Sequence, residues 1–177
     1  PTAGACGVLP AVLLPYGRRY ELPDDTLIKA LYVASGFGAV IAQRASISGA
    51  EAGCQAEIGT AAAMAAAALV YLHGGSAVQM ANAAAMALKN MMGLVCDPVA
   101  GLVEVPCIKR NAAGAMNALC AAEMALAGIE SRIPPDEVID AMAAVGAALP
   151  SSLRETGMGG IAASPTAVKF REEFFGQ

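Results

Sequence analysis

The sequence predicts an all-α protein, a compact helical bundle rich in alanine and glycine. Long alanine-rich stretches dominate the chain, as in AAAMAAAALV. Valine, isoleucine and the aromatic residues do not alternate with polar residues over any convincing stretch, so strand signals are nearly absent. With 177 residues and no internal repeat or linker, we expect one domain over residues 1–177.

Residues that start or stop helices separate the alanine-rich stretches from one another. Asn111 is a favourable N-cap, and Gly128 is expected to stop the helix that follows it. Pro134 and Pro135 open another helix whose first turn is acidic. Two further segments are predicted to be loops: residues 2–7 near the N-terminus, and residues 156–160 near the C-terminus. The predicted helices are 24–43, Cys54–Leu72, 76–92, 111–127 and 135–149.

Composition excludes several classes of function. A net charge of −4 and a pI of about 4.9 argue against a nucleic-acid partner, which would need a basic face. The chain is 56% hydrophobic, but its longest apolar run, 58–72, is about 15 residues and too short for a bilayer span. We therefore expect a core helix there and no membrane partner. No secretory signal is visible, and an odd count of 5 cysteines fits a reducing compartment, which predicts a cytoplasmic protein.

Three cysteines, Cys54, Cys96 and Cys107, lie where helices are interrupted. Cys54 falls at a helix N-terminus, where unpaired N–H groups favour a thiolate. Cys96 is expected to end a helix, and the charges of Lys109 and Arg110 are expected to lower the pKa of the Cys107 thiol. The spacing matches no zinc finger. It suits a metal centre that is assembled from separate loops and keeps one open position, although incidental buried thiols fit the same pattern.

The strings around these cysteines closely resemble the α chain of iron–sulfur-dependent L-serine dehydratase. The resemblance spans essentially the whole chain and rests on PTAGACGVLPAVL, SISGAEAGCQAEIGTAAAMAAAALV, GLVCDPVAGLVEVPCIKRNA and LPSSLRETGMGGIAASPTA. It implies a [4Fe–4S] cluster held by Cys54, Cys96 and Cys107, L-serine as the substrate, and a β chain or a homo-oligomer as partner. An open cluster iron would act as a Lewis acid on the serine hydroxyl.

The chain departs from the family pattern at both ends. It starts inside the PTAGACG-like motif, so we expect an N-terminal portion of the family α chain to be missing. It ends in FFGQ, without the C-terminal cysteine that can occupy the open iron in single-chain relatives. A related L-cysteine desulfidase and a non-catalytic helical fragment remain alternatives.

Several further residues are candidates for substrate binding. Lys109 and Arg110 would attract a carboxylate, and the turn around Thr2 and Gly4 would offer backbone N–H groups to one. Each has a plain structural alternative as a solvated turn or a helix cap. The full candidate set is Thr2, Gly4, Ser46, Ser48, Lys109 and Arg110.

The remaining candidates are weaker. Glu51 is a possible base, although a carboxylate near a helix N-terminus needs no catalytic role. His73 is the only histidine, but a helix of this length would place it about 25 Å from Cys54. Cys6 and Cys120 are predicted non-ligands, with Cys120 in the core. No general base is assigned.

Overall fold

The computed structural model describes residues 2–176, which contain eight α-helices and no β-strand. This confirms the predicted all-α class; the first and last residues of the predicted domain lie outside the described part. The 3₁₀ helices are Ala3–Gly7, Val99–Gly101, Ser151–Leu153 and Gly160–Ala163. The α-helices are α1 (Val8–Arg19), α2 (Asp24–Arg44), α3 (Gly49–Ala52), α4 (Cys54–Leu72), α5 (Ala77–Met91), α6 (Cys107–Leu126), α7 (Pro135–Ala148) and α8 (Pro165–Phe175).

Helix α4 forms the centre of the bundle. Every residue from Cys54 to Val70 is buried, and α1, α2, α5, α6 and α7 all contact this helix. A helix that is apolar on all sides has to be surrounded by protein, and its alanine side chains allow the neighbouring helices to approach closely. The interpretation of 58–72 as a core helix is therefore confirmed.

The predicted helix boundaries hold for most helices and fail around the second and third cysteines. Helix α5 ends at Met91, so Cys96 lies in the following loop and does not end a helix. Helix α6 begins at Cys107, immediately after Pro106, because no helix-breaking residue separates that proline from Asn111. Asn111 is consequently in the second turn of α6, and its predicted role as N-cap is wrong.

The N-terminal segment is more regular than predicted. The predicted loop 2–7 is largely the 3₁₀ helix Ala3–Gly7, and α1 follows it without a break. Helix α1 was not predicted, but it buries Val8, Val12 and Leu13, which is one apolar face at helical spacing. Helix α8 was also not predicted; its N-cap is Ser164, whose hydroxyl accepts a hydrogen bond from the Ala167 amide.

Two helices of the described part, α2 and α4, are long and apolar enough to cross a membrane by length and composition alone. The apolar window of α4 is 89% buried, as expected for a core helix, whereas that of α2 is only 17% buried. Helix α2 exposes Ile28, Leu31, Tyr32 and Val40. The absence of a membrane partner therefore stays a prediction.

Helices α3 and α7 touch at a glycine, which gives a test of the packing. A Cβ added to Gly146 would lie 2.5 Å from Ala52 Cβ and 3.1 Å from Ala52 Cα. Because backbone would have to move, we expect Gly146→Ala to lower the free energy of unfolding by about 1–3 kcal/mol in urea denaturation. Gly36→Ala on α2 is the matched control, since nothing lies within 4 Å of its added Cβ. The control should be neutral or stabilising by up to about 1 kcal/mol, and equal effects of the two substitutions would contradict the packing argument.

A candidate metal centre lined by three cysteines

The structure brings the three predicted ligands to one cavity. Cys54 is the first residue of α4, Cys96 lies in the loop after α5, and Cys107 is the first residue of α6. All three are buried, at 3%, 4% and 9% exposure, and all three line the same cavity together with Glu57 and Asn111. Three separate segments of the chain thus present thiols to one enclosed space.

The Cys54 end of α4 is fixed by its neighbours along the chain. Gly53 joins α3 to α4 with φ of +77°, and a Cβ at this position would lie 2.7 Å from the Leu94 carbonyl oxygen, so only glycine fits. Gln55 is fully buried, and its backbone N–H donates a hydrogen bond to the Leu94 carbonyl at 2.9 Å. The side-chain oxygen of Gln55 accepts from the Gly93 amide at 2.8 Å, and its side-chain nitrogen donates to a carbonyl of α7 at 3.0 Å. These bonds hold the helix start rigidly against the loop that leads to Cys96.

Backbone hydrogen bonds hold Cys96 from the C-terminal side of the chain. Its N–H donates to the Leu153 carbonyl at 2.9 Å, and its carbonyl accepts from the Glu155 N–H at 2.7 Å. On α3, a Cβ added to Gly49 would lie 3.1 Å from the Cys96 sulfur. The absence of a side chain at Gly49 therefore leaves room for the thiol.

A buried ion pair connects the Cys96 loop to α6. The Asp97 side chain is 3% exposed, and its Oδ1 lies 2.6 Å from Arg110 Nη1. Its Oδ2 accepts a hydrogen bond from the Ile161 amide at 2.7 Å, while Arg110 also donates to the Val95 carbonyl at 2.9 Å. We refer to Asp97, Arg110 and the Ile161 amide as the Asp97 network. It joins the second cysteine, the helix of the third cysteine and the segment around residue 160.

The three thiols differ in acidity. The Cys96 thiol donates a hydrogen bond to Cys54; this lowers the pKa of Cys54, with further help from the Arg110 charge, and raises the pKa of Cys96. Burial raises the pKa of Cys107 and outweighs the opposing effect of Arg110. The charge of Arg110 therefore lowers the pKa of Cys107 as predicted, but the net shift is upward because the thiol is desolvated.

Two residues that line the cavity are not among the predicted site residues, Glu57 and Asn111. Glu57 is 9% exposed, and burial raises the pKa of its carboxyl, whose Oε1 accepts a hydrogen bond from the Ala5 amide at 3.4 Å. Asn111 carries a buried Oδ1 that has no hydrogen-bond partner among residues 2–176. Glu57 follows Cys54 by three residues and Asn111 follows Cys107 by four, which places each on the helix face of its cysteine. The spacing from Cys54 could identify Glu57 in the sequence, because the predicted helix also begins at Cys54. The spacing from Cys107 becomes a signal for Asn111 only once α6 is known to begin at Cys107.

Hydrogen bonds form within the predicted polar loop before α4 and between this loop and the N-terminal segment. The Ser46 hydroxyl donates to the Glu51 carboxylate and accepts from the Ser48 amide at 3.0 Å. The Thr2 hydroxyl donates to the Ile47 carbonyl at 2.8 Å. These contacts give Thr2, Ser46 and Ser48 structural partners, and none of the three is among the described residues that line the cavity. Their contact with substrate stays a prediction.

The other candidates divide between the cavity and distant surfaces. Gly4 lies beside it, because a Cβ at this position would be 3.0 Å from Asn111 Nδ2. Arg110 is engaged by Asp97, and Lys109 is exposed. His73 lies at the opposite end of α4 from Cys54, with Nδ1 2.9 Å from the Leu69 carbonyl and Nε2 3.1 Å from a tyrosine hydroxyl of α1. Cys120 is exposed, so its prediction as a core residue is wrong.

The donor chemistry of the cavity determines what it can hold. Among residues 2–176, no three His, Cys, Asp or Glu side chains have the geometry of a single metal-ion site. Three buried, unoxidised thiols are nevertheless the ligand type that selects soft metals and iron–sulfur clusters. A cluster takes each thiolate on a different iron, so it does not require the three sulfurs to surround one point.

Comparisons with known proteins agree on one family. A family model described as serine dehydratase alpha chain matches residues 1–162. A probable L-serine dehydratase alpha chain of Bacillus subtilis is 57% identical over 99% of this chain, and one of Latilactobacillus sakei is 55% identical over 100%. The L-serine dehydratase alpha chain of Peptoniphilus asaccharolyticus is 49% identical over 98%. The chain spans 59%, 85% and 60% of these three relatives, respectively. The chain belongs to the serine dehydratase alpha chain family.

Proposed function

We propose that the chain is the cluster-binding part of an L-serine dehydratase, with Cys54, Cys96 and Cys107 as ligands of a [4Fe–4S] cluster. The observation that carries the proposal is that three buried thiols from three separate segments line one cavity. The names of the relatives supply the substrate, L-serine, and their designation as alpha chains supplies a β chain as partner. Reduced thiols suit a cytoplasmic location.

The cavity offers one ligand fewer than the cluster has irons. The described residues also include Cys6 and Cys120, but both are exposed and neither lines the cavity. Three thiolates therefore leave one iron without a cysteine from this cavity. The cavity that the three thiols line is small, about 20 Å³, so the thiols have to move apart to take up a cluster.

The proposed reaction removes water from L-serine, and the resulting aminoacrylate hydrolyses to pyruvate and ammonia. When bound, the cluster supplies a Lewis-acidic iron that makes the serine hydroxyl a better leaving group. The chain supplies the surroundings: Ile58 and Val103 give the cavity apolar walls that limit access of bulk water. The Asp97 network fixes the loop that carries Cys96. Glu57 places a buried carboxylate beside the thiols.

Pyruvate release from L-serine tests the proposed activity. The chain is loaded with iron and sulfide without oxygen and is assayed alone and together with the β chain of its own source. We expect pyruvate and ammonia in equal amounts, and none from protein stripped of iron by a chelator. Iron-loaded protein that releases no pyruvate in either assay would contradict the activity, and sulfide release from L-cysteine in its place would favour a desulfidase.

A further inference from the structure

Asn111 presents an unused hydrogen-bond acceptor to the cysteine cavity. Its Oδ1 is buried and has no partner in the described part of the chain. A buried carbonyl oxygen without a donor keeps the full cost of its desolvation, which is why nearly all such groups in proteins have a hydrogen-bond partner. An unsatisfied acceptor in a cavity beside three thiols therefore indicates a donor that arrives with a ligand.

The surroundings of Asn111 determine which end of the amide faces the ligand. Its Nδ2 is directed toward the 3₁₀ helix Ala3–Gly7, where only the missing side chain of Gly4 leaves space for it. The side-chain oxygen of Asn111 is therefore the end of the amide that faces the cavity. Gly4 contributes to the site by making room for Asn111, which is a different role from the backbone cradle expected from the sequence.

The charges around the cavity select a cationic donor. Glu57 and Glu155 also line it, and none of its described lining residues is basic. Arg110, on the same helix as Cys107, is paired with Asp97. The cavity therefore offers two carboxylates and one amide oxygen as hydrogen-bond acceptors. An ammonium group that leaves water to enter the cavity needs such acceptors to compensate for its desolvation.

We propose that Asn111 Oδ1 accepts a hydrogen bond from the α-ammonium group of the substrate, and thereby distinguishes amino acids from the corresponding hydroxy acids. This inference rests on the proposed function, since it takes L-serine as the ligand. Asn111 is then a specificity-determining residue carried one helical turn after Cys107 on α6. Because Asn111 and Cys107 lie on the same helix, α6 carries both the proposed ammonium contact and one of the proposed cluster ligands.

The test uses two ligands that differ only in the group Asn111 is proposed to read. In α-methyl-L-serine the α-hydrogen is replaced by methyl, so the compound cannot be dehydrated. Hydroxypivalate has a second methyl group where α-methyl-L-serine has its ammonium group. Binding of each is measured by anaerobic calorimetry on the cluster-loaded protein with its β chain, for the wild type, Asn111→Leu and Asn111→Asp.

We expect Asn111→Leu to weaken α-methyl-L-serine by roughly 10- to 100-fold, the effect of losing one hydrogen bond to a charged group. Hydroxypivalate should change by less than about threefold, as for a substitution that touches no contact of the ligand. Asn111→Asp keeps an acceptor of the same shape and should retain the affinity for α-methyl-L-serine.

The outcomes separate this inference from the function on which it rests. If Asn111→Leu weakens both ligands equally, or neither, while the wild type still releases pyruvate from L-serine, the inference is overturned and the proposed function stands. Loss of α-methyl-L-serine binding in Asn111→Asp would show that the amide donates to the ligand, which also overturns it. A wild type that binds neither ligand and releases no pyruvate would overturn the proposed function itself.

Discussion

Replacing Cys96 with serine is expected to remove both the visible absorption of the iron-loaded protein and its release of pyruvate from L-serine. Cys96 lines the cavity together with Cys54 and Cys107, so its loss removes one of the three proposed ligands. Loss of a residue that merely supports a metal ligand typically costs 10- to 100-fold in affinity or activity. For a ligand itself we expect activity to fall by at least roughly a hundredfold.

Cys120→Ser is the matched control for this substitution. Cys120 lies on α6, as Cys107 does, but it is exposed and is not among the described lining residues of the cavity. Its replacement should leave iron content, absorption spectrum and pyruvate release within about twofold of the wild type, as for an ordinary surface substitution. If Cys96→Ser retained a full complement of iron, the assignment of the ligands would be wrong.

Removal of the Asp97 carboxylate is expected to have the largest effect on stability. In Asp97→Ala, the guanidinium of Arg110 loses its partner and the Ile161 amide loses its acceptor. Breaking a buried, hydrogen-bonded ion pair costs about 3–5 kcal/mol. We expect a loss of this size in the free energy of unfolding measured with urea, together with poorer iron loading because the Cys96 loop is released.

Arg44→Ala is the comparison for an ion pair at the surface. Arg44 pairs with Asp140 at 2.7 Å, but the two side chains are 39% and 57% exposed. Such a pair contributes about 1 kcal/mol or less. If Asp97→Ala cost no more than Arg44→Ala, the Asp97 network would not hold the cysteine loop in the way we describe.

The sequence was sufficient to predict the parts of the fold that depend on local pattern. Helix α4 was recognisable as a core helix because its alanine run has no polar face, and the start of α7 because Pro135 and two acids open it. The predicted helices do not include α1, although its buried face follows helical spacing. The sequence predicts Cys120 in the core because a thiol inside a helix is usually buried, whereas the face of α6 that carries Cys120 is turned outward.

The candidate site was predictable only in outline. The three cysteines are identifiable as candidate ligands because they lie at helix breaks. Asn111, in the second turn of α6, is not identifiable as a site residue, since it resembles an N-cap in sequence. Only the tertiary structure shows that α6 starts at Cys107 and directs Asn111 into the cavity. The raised pKa of Cys107 has the same origin, because desolvation depends on neighbours that are distant in the sequence.

We propose that this cavity holds a cluster with one iron open to L-serine. Mössbauer spectroscopy of protein reconstituted with isotopically enriched iron, recorded with and without α-methyl-L-serine, tests it most directly. We predict a [4Fe–4S] spectrum in which the ligand changes the signal of one iron and leaves the other three unchanged. Protein that takes up no cluster, or a cluster spectrum that the ligand does not alter, would contradict the account.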